Sequence, residues 1–213
     1  MEQLPSLAET IRLDFEIRNQ KRDQALLLSR QITRLAAQSI RATHRKEYDQ
    51  AHDFIEQAGS LVGQVKDSLK NFPDLYYAGY TQDGIKEYIE AHITYSLILN
   101  QAMSTPEILG VQYSTYLNGL AEVPGELRRS CLDILRQGYS AEAERLLACM
   151  DEIYTVLVTM DFPDAITNGL RRQTDLVRGI LERTRADLTL SLREEQVKTV
   201  MDQLIDRLDR SNR

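Results

Sequence analysis

The chain has 213 residues, 42% of them hydrophobic, and a net charge of −6 at pH 7. This composition provides enough apolar material for one packed domain, and an acidic net charge taken alone argues against a nucleic-acid partner. No run approaches the ~18 consecutive apolar residues of a membrane-spanning helix, and the N-terminus lacks a signal-peptide pattern, so we expect a cytoplasmic protein with no membrane partner.

Helical periodicity dominates the sequence, because apolar residues recur at intervals of three and four rather than two. Glycine and proline are few, and four of the five prolines fall outside these periodic runs. The pattern predicts an all-α protein of seven helices, which we place at residues 6–45, 47–71, 82–102, 112–137, 140–160, 164–189 and 192–209. Short connections of this kind favour an antiparallel bundle.

The first predicted helix carries a row of arginines on one face. Arg12, Arg30, Arg34, Arg41 and Arg45 fall within a sector of about 60°. In its second half the charges are arginine only, whereas solvated helix faces mix both signs. The planar guanidinium suits phosphate, so we predict that the arginine row (Arg30, Arg34, Arg41 and Arg45) binds nucleic acid. A solvated face or an intersubunit salt-bridge surface is the alternative.

The third and fourth predicted helices carry stripes of acidic residues. Like charges on one helix face repel each other unless a cation lies between them. A hard divalent cation such as Mg²⁺ takes carboxylate oxygens as ligands, so the acids form a candidate metal site if the two helices meet. They form ordinary acidic surface, with Glu126 paired to Arg129, if the helices do not. These acids are Asp83, Glu87, Glu90, Glu122 and Glu126.

The fourth predicted helix also contains Pro124 followed by Gly125. The proline removes one backbone hydrogen bond and bends the helix axis, and the glycine is expected to let a neighbouring backbone approach closely. Because such a defect costs stability, its position beside acidic residues favours a functional explanation.

The end of the chain forms a predicted extension of a helical domain. We divide the chain into a helical domain at residues 1–190 and an amphipathic helical extension at residues 191–213. The extension carries a narrow apolar stripe, which would dock either on a partner helix or on its own domain. The stripe consists of Val197, Val200, Met201, Leu204 and Leu208.

Four segments of the chain resemble the translin family, in the same order and with similar gaps, over about residues 6 to 190. The most specific pieces are KEYIEA and GLAEVPGELRR. The segments are SRQITRLAAQSIRATHR (29–45), YYAGYTQDGIKEYIEA (76–91), YLNGLAEVPGELRR (116–129) and LRRQTDLVRGILERTRADLTL (170–190).

The resemblance implies a subunit of the translin type that assembles into a hollow homo-oligomer of roughly eight copies and binds single-stranded RNA or DNA. One branch of the family cuts RNA with Mg²⁺, and Mn²⁺ is the alternative ion. The catalytic, metal-binding acids of that branch fall here on Glu87, Glu90 and Glu122, with Glu126 as support or general base. The third position is commonly Asp, and Glu122 is one methylene longer.

The sequence therefore predicts a metal-dependent endoribonuclease that acts on single-stranded RNA inside an oligomeric shell. A shell that binds single-stranded RNA or DNA without cutting it is the first alternative. A helical scaffold for another protein is the second.

Overall fold

The computed structural model describes residues 3–211, and every regular element within them is an α-helix. Three helices are single turns: α3 (Pro73–Tyr76), α5 (Pro106–Leu109) and α8 (Asp164–Thr167). The all-α class that the sequence predicts is confirmed. The six long helices are α1 (Gln3–His44), α2 (Tyr48–Ser68), α4 (Gly79–Ile98), α6 (Tyr113–Leu135), α7 (Ala141–Val158) and α9 (Leu170–Ser211).

Helices α1 and α2 form an antiparallel hairpin. The periodic apolar face of α1 buries Ala25, Ile32 and Ala36 completely. The turn is tight because Lys46 takes a left-handed conformation with φ 62°. Across the hairpin, the Ser39 hydroxyl donates a 2.9 Å hydrogen bond to the carbonyl of residue 51. The C-terminal half of α1 is therefore fixed by packing and by a buried hydrogen bond.

Helix α4 lies between α1 and α6, and glycines make both contacts close. A Cβ on Gly84 would lie 3.1 Å from the Ser29 Cα of α1, and a Cβ on Gly119 would lie 2.8 Å from the Ile89 Cβ of α4. The close approach that we predict at Gly125 is wrong, because a Cβ there would meet no atom within 4 Å. Gly119 sets the distance between α4 and α6 instead.

Helices α4 and α6 run in the same direction. The Thr115 hydroxyl donates a 2.6 Å hydrogen bond to Gln82 Oε1, and one to two turns further along both helices Lys86 contacts Glu122. The connection between them, residues 99–112 with α5, is long enough to return the chain to the starting end of the bundle. Antiparallel packing holds across the shorter connections, as in α1 with α2 and in α6 with α7, where the Cys131 thiol donates to the carbonyl of residue 143.

Helix α9 is continuous over 42 residues, so the predicted break between residues 189 and 192 is wrong. Neither glycine nor proline occurs there, and nothing ends the helix. The actual break lies earlier, where Asn168 and Gly169 have φ values of 53° and 80°. The predicted boundary after residue 190 falls inside α9, two residues beyond its last buried side chain, Leu188. Residues 1, 2, 212 and 213 lie outside the described part of the chain.

Both 42-residue helices extend beyond the core. Residues 3–24 of α1 and 189–210 of α9 bury no side chain, yet both segments expose large apolar residues. Exposed apolar stripes of this size are typical of protein interaction surfaces. None of the helices in the described range has the length and hydropathy needed to cross a membrane. The exposed residues include Leu4, Leu7, Ile11 and Phe15 in α1, and Val197, Val200, Met201, Leu204, Ile205 and Leu208 in α9.

Candidate metal and nucleic-acid site

Three predicted acids converge between α4 and α6. One carboxylate oxygen from each of Glu87, Glu90 and Glu122 lies within 4.8 Å of the other two. Glu87 and Glu90 share a face of α4 because they are three residues apart. Glu122 reaches them because it stands one turn after Gly119, where α6 touches α4. We call these three residues the acid cluster.

Burial shapes the electrostatics of the acid cluster. Glu90 is only 9% exposed, and burial together with the charges of Glu122, Glu87 and Glu126 raises its pKa to about 8. Burial and the charge of Glu122 also raise the pKa of Glu87. Crowded carboxylates with raised pKa values favour a cation or a proton among them. Their oxygens are the ligands that Mg²⁺ and Mn²⁺ prefer, so the residues fit such an ion.

Lys86 is a part of the site that the sequence analysis missed. Its Nζ lies 2.7 Å from Glu122 Oε1 and 3.9 Å from Glu87 Oε1. Burial alone would lower the pKa of Lys86, but its hydrogen bond to Glu122 and the neighbouring acidic charges raise it overall. The ammonium therefore stays charged and already partly neutralises the acid cluster. Its position in KEYIEA, next to Glu87, was visible in the sequence, but its contact with α6 was not.

Glu126, predicted as catalytic support or general base, lies beside the acid cluster and contacts a histidine. Its Oε2 is 2.5 Å from His44 Nε2, and His44 Nδ1 is 3.3 Å from the Ser130 hydroxyl. The hydrogen bond from His44 lowers the pKa of Glu126. Glu126 therefore stays ionised and close enough to raise the pKa of Glu90. No local pattern in the sequence gives His44 a role, because it lies 82 residues from its partner.

Asp83, the first acid of the predicted stripe, is outside the acid cluster. It is exposed to solvent and lies one turn before Glu87 on α4. After burial and Glu122, its charge is a further cause that raises the pKa of Glu87. Asp83 therefore influences the acid cluster from the surface and contributes no oxygen to it.

The arginine row lies on the outer face of α1, and all four side chains are exposed. Arg45 pairs with Glu47 at 2.7 Å, whereas the other three have no ion pair with any residue in the range 3–211. At 100° per residue, the row lies about a third of a turn around α1 from Ser29, which touches α4. The arginine row therefore does not face α4, the helix that carries Glu87 and Glu90.

Comparisons with known proteins identify the family. No family model matches the chain. An uncharacterised protein of Methanocaldococcus jannaschii is 35% identical over 181 residues, which is 81% of this chain and 79% of that protein. The structures of AfC3PO, alone and with duplex RNA, both match with a TM-score of 0.81 and 31% identity, over 88% of this chain and 97% of theirs. C3PO proteins are translin-family proteins. This chain belongs to the translin family.

Membership of the translin family confirms the resemblance that KEYIEA and GLAEVPGELRR carry. Apo-NeC3PO has the same fold, with a TM-score of 0.78 and 23% identity over 88% of this chain and 98% of that one. In this translin-family protein, Glu122, which stands where the sequence resemblance leads us to expect Asp, accepts a hydrogen bond from Lys86. The longer side chain of Glu122 still brings an oxygen close to Glu87 and Glu90.

Proposed function

We propose that this translin-family protein binds RNA and cleaves it with a divalent ion, Mg²⁺ or Mn²⁺, held by Glu87, Glu90 and Glu122. The observation that carries this proposal is the convergence of three carboxylate oxygens within 4.8 Å. Three protein ligands leave positions on an octahedral ion for water and for a phosphate oxygen. When bound, the ion would stabilise charge on the phosphate and acidify a water molecule.

The remaining roles belong to the chain's own side chains. The arginine row would bind backbone phosphates through charged hydrogen bonds and set the position of the strand. Glu126 would support the acid cluster rather than act as the general base, because its lowered pKa makes it a weak proton acceptor at neutral pH. His44 would hold Glu126 in place through the 2.5 Å contact.

The similarity to AfC3PO, which has been solved with duplex RNA, supports RNA as the ligand. We propose single-stranded RNA as the substrate and single-stranded DNA as a second ligand. The preference for single strands is then measured by comparing the binding of each strand with the binding of its duplex.

We further propose that the protein works as a homo-oligomer of eight copies. The exposed apolar stripes on residues 3–24 and 189–210 support assembly, since stripes of this size need a partner surface. Light scattering during gel filtration should give a mass near eight times 24.4 kDa. A monomeric mass at micromolar concentration would exclude the oligomer.

The nuclease is tested with a labelled single-stranded RNA, with Mg²⁺ and with a chelator. We expect Glu87→Gln and Glu90→Gln to reduce cleavage by about a hundredfold or more, because a bound ion contributes several kcal/mol to the transition state. Asp83→Asn is the matched control, since it removes an acid from the same helix but outside the acid cluster, and it should stay within a few-fold of the unmodified protein. Equal cleavage in all four proteins would assign the activity to a contaminant.

Binding without cleavage is the second candidate function, and Lys86 favours it. Its ammonium already bonds the Glu122 oxygen that a metal would need. Titration calorimetry with Mn²⁺ separates the two functions. Binding of one ion that is lost in Glu90→Gln supports the nuclease, whereas RNA binding without any Mn²⁺ binding supports capture of strands only.

A further inference from the structure

A polar cavity of about 390 Å³ opens beside the acid cluster. Lys86 lines it and also contacts Glu122 at 2.7 Å, so the cavity and the acid cluster share this side chain. Asp83, one turn before Glu87, lines it as well. The volume is at the lower end of the range for small-molecule sites. The cavity therefore adjoins the place where the scissile phosphate would lie.

The floor of the cavity is held by hydrogen bonds. Gln82 accepts a 2.6 Å bond from Thr115 and donates a 2.7 Å bond to the carbonyl of residue 76. Asn118 donates 2.8 Å bonds to the carbonyls of residues 114 and 167. Both amides are thus fixed in orientation by contacts with α3, α6 and α8.

A buried side chain in this floor leaves one acceptor atom without a protein partner among residues 3–211. Asn118 is only 8% exposed and lines the cavity, and both of its bonds use Nδ2. No donor among residues 3–211 reaches its Oδ1. A fixed amide oxygen at a cavity wall is suited to a ligand with an N–H group.

The rim adds an aromatic ring and a free amide. Tyr77 is 59% exposed and its ring stands edge-on to that of Tyr76 at 5.1 Å, so one face is open to solvent. Gln173, on α9, also lines the cavity and makes no side-chain hydrogen bond within the described residues. An aromatic face with amide donors and acceptors around it is the combination that recognises a nucleobase.

We propose that this cavity binds one unpaired base of the RNA strand, the base next to the phosphate at the acid cluster. Tyr77 stacks on the base, while Asn118 and Gln173 form hydrogen bonds with its edge. This inference rests on the proposed function, since it takes the acid cluster as the place of the scissile phosphate. A base inside a duplex is stacked and paired, so the cavity would make the site select single strands.

The experiment measures binding without divalent ions, so that cleavage and metal binding do not contribute. A short fluorescein-labelled RNA is titrated as a single strand and as a duplex with its complement. Tyr77→Ala should weaken binding of the single strand about tenfold, because it removes the aromatic ring on which the base stacks. Gln173→Ala should weaken it several-fold. Binding of the duplex should be unchanged in both variants.

Tyr113→Ala is the matched control, because Tyr113 is an equally exposed tyrosine on α6 that does not line the cavity. Thermal unfolding of each variant checks the fold. An abasic strand should bind the unmodified protein and Tyr77→Ala equally. Equal losses for single strand and duplex, or no loss for the single strand, would overturn the cavity proposal. Failure of cleavage with binding that still depends on Tyr77 would overturn the nuclease and leave the base site.

Discussion

The acid cluster and the arginine row are both sets of like charges, but they lie in different surroundings. The acids converge between two helices, where burial and mutual repulsion raise the pKa of Glu90 to about 8. The arginines stand apart in water on the outer face of α1. Repulsion is strong only where solvent is excluded, so changes in the acid cluster should alter stability and metal binding, whereas changes in the arginine row should alter ligand binding alone.

The largest effect should be the change in unfolding free energy that Glu90→Gln causes in the absence of metal. The folded state raises the pKa of Glu90 from 4.5 to about 8, so between these values the folded protein binds the extra proton. The stability of the unmodified protein should therefore fall as pH rises from 5 to 8, by up to several kcal/mol at about 1.4 kcal/mol per pKa unit. Glu90→Gln should lose this dependence and be the more stable protein at pH 8.

Urea unfolding at pH 5 and pH 8 measures this difference, with a chelator present. Asp83→Asn, an exposed acid on the same helix, should keep the pH dependence of the unmodified protein. If the unfolding free energies of Glu90→Gln and the unmodified protein change in parallel with pH, repulsion in the acid cluster does not raise the pKa of Glu90. Added Mn²⁺ should restore stability at pH 8 in the unmodified protein and in Asp83→Asn, but not in Glu90→Gln.

The next largest effect should come from changing Gly119, at the contact between α4 and α6 that brings the acids together. Gly119→Ala places a Cβ 2.8 Å from the Ile89 Cβ and 2.9 Å from the Lys86 carbonyl oxygen, so α4 and α6 must separate. We expect a loss of about 2 kcal/mol in unfolding free energy and weaker Mn²⁺ binding. Gly125→Ala, in the same helix, meets no atom within 4 Å and should be neutral or slightly stabilising. Similar results for the two variants would show that Gly119 does not set the helix spacing.

The spacing of residues within one helix could be predicted from the sequence, whereas the register between helices could not. Glu87 and Glu90 share a face by the period of the α-helix alone. Glu122 was assigned from the family resemblance, because nothing in its own segment fixes which turn of α6 meets α4. That register depends on Gly119, and the sequence directed attention to Gly125 instead.

The missed residues follow from the same cause. Lys86 and His44 act through contacts with α6 that span 36 and 82 residues, so local patterns contain no signal for them. The predicted break before residue 192 was wrong for another reason. The apolar pattern changes there because α9 leaves the core after Leu188, so the pattern predicts a helix end where only the burial changes.

A tenfold effect should follow from removing the lysine that shares the acid cluster. Lys86→Met keeps the length of the side chain but frees Glu122 from its 2.7 Å partner. A metal ion would then no longer displace an ammonium group, so we expect Mn²⁺ affinity to rise about tenfold, equivalent to about 1.4 kcal/mol. Calorimetric titration measures it, with Lys66→Met, an exposed lysine on α2, as the control. Unchanged binding would mean that Lys86 does not compete with the metal, and weaker binding would mean that it supports the metal.

The smallest effect should come from the arginine row, because each exposed side chain contributes one solvated phosphate contact. Arg34→Ala should weaken binding of single-stranded RNA two- to threefold at moderate salt and reduce the slope of log K against log salt concentration by about 0.7. Arg12→Ala is the control, since Arg12 lies in the same sector but pairs with Glu9. Both changes should leave the urea midpoint unaltered, because neither side chain is buried. An unchanged salt slope in Arg34→Ala would place the strand on another face, and the contrast between a buried acid cluster and a ligand-binding arginine row would then hold for the acids only.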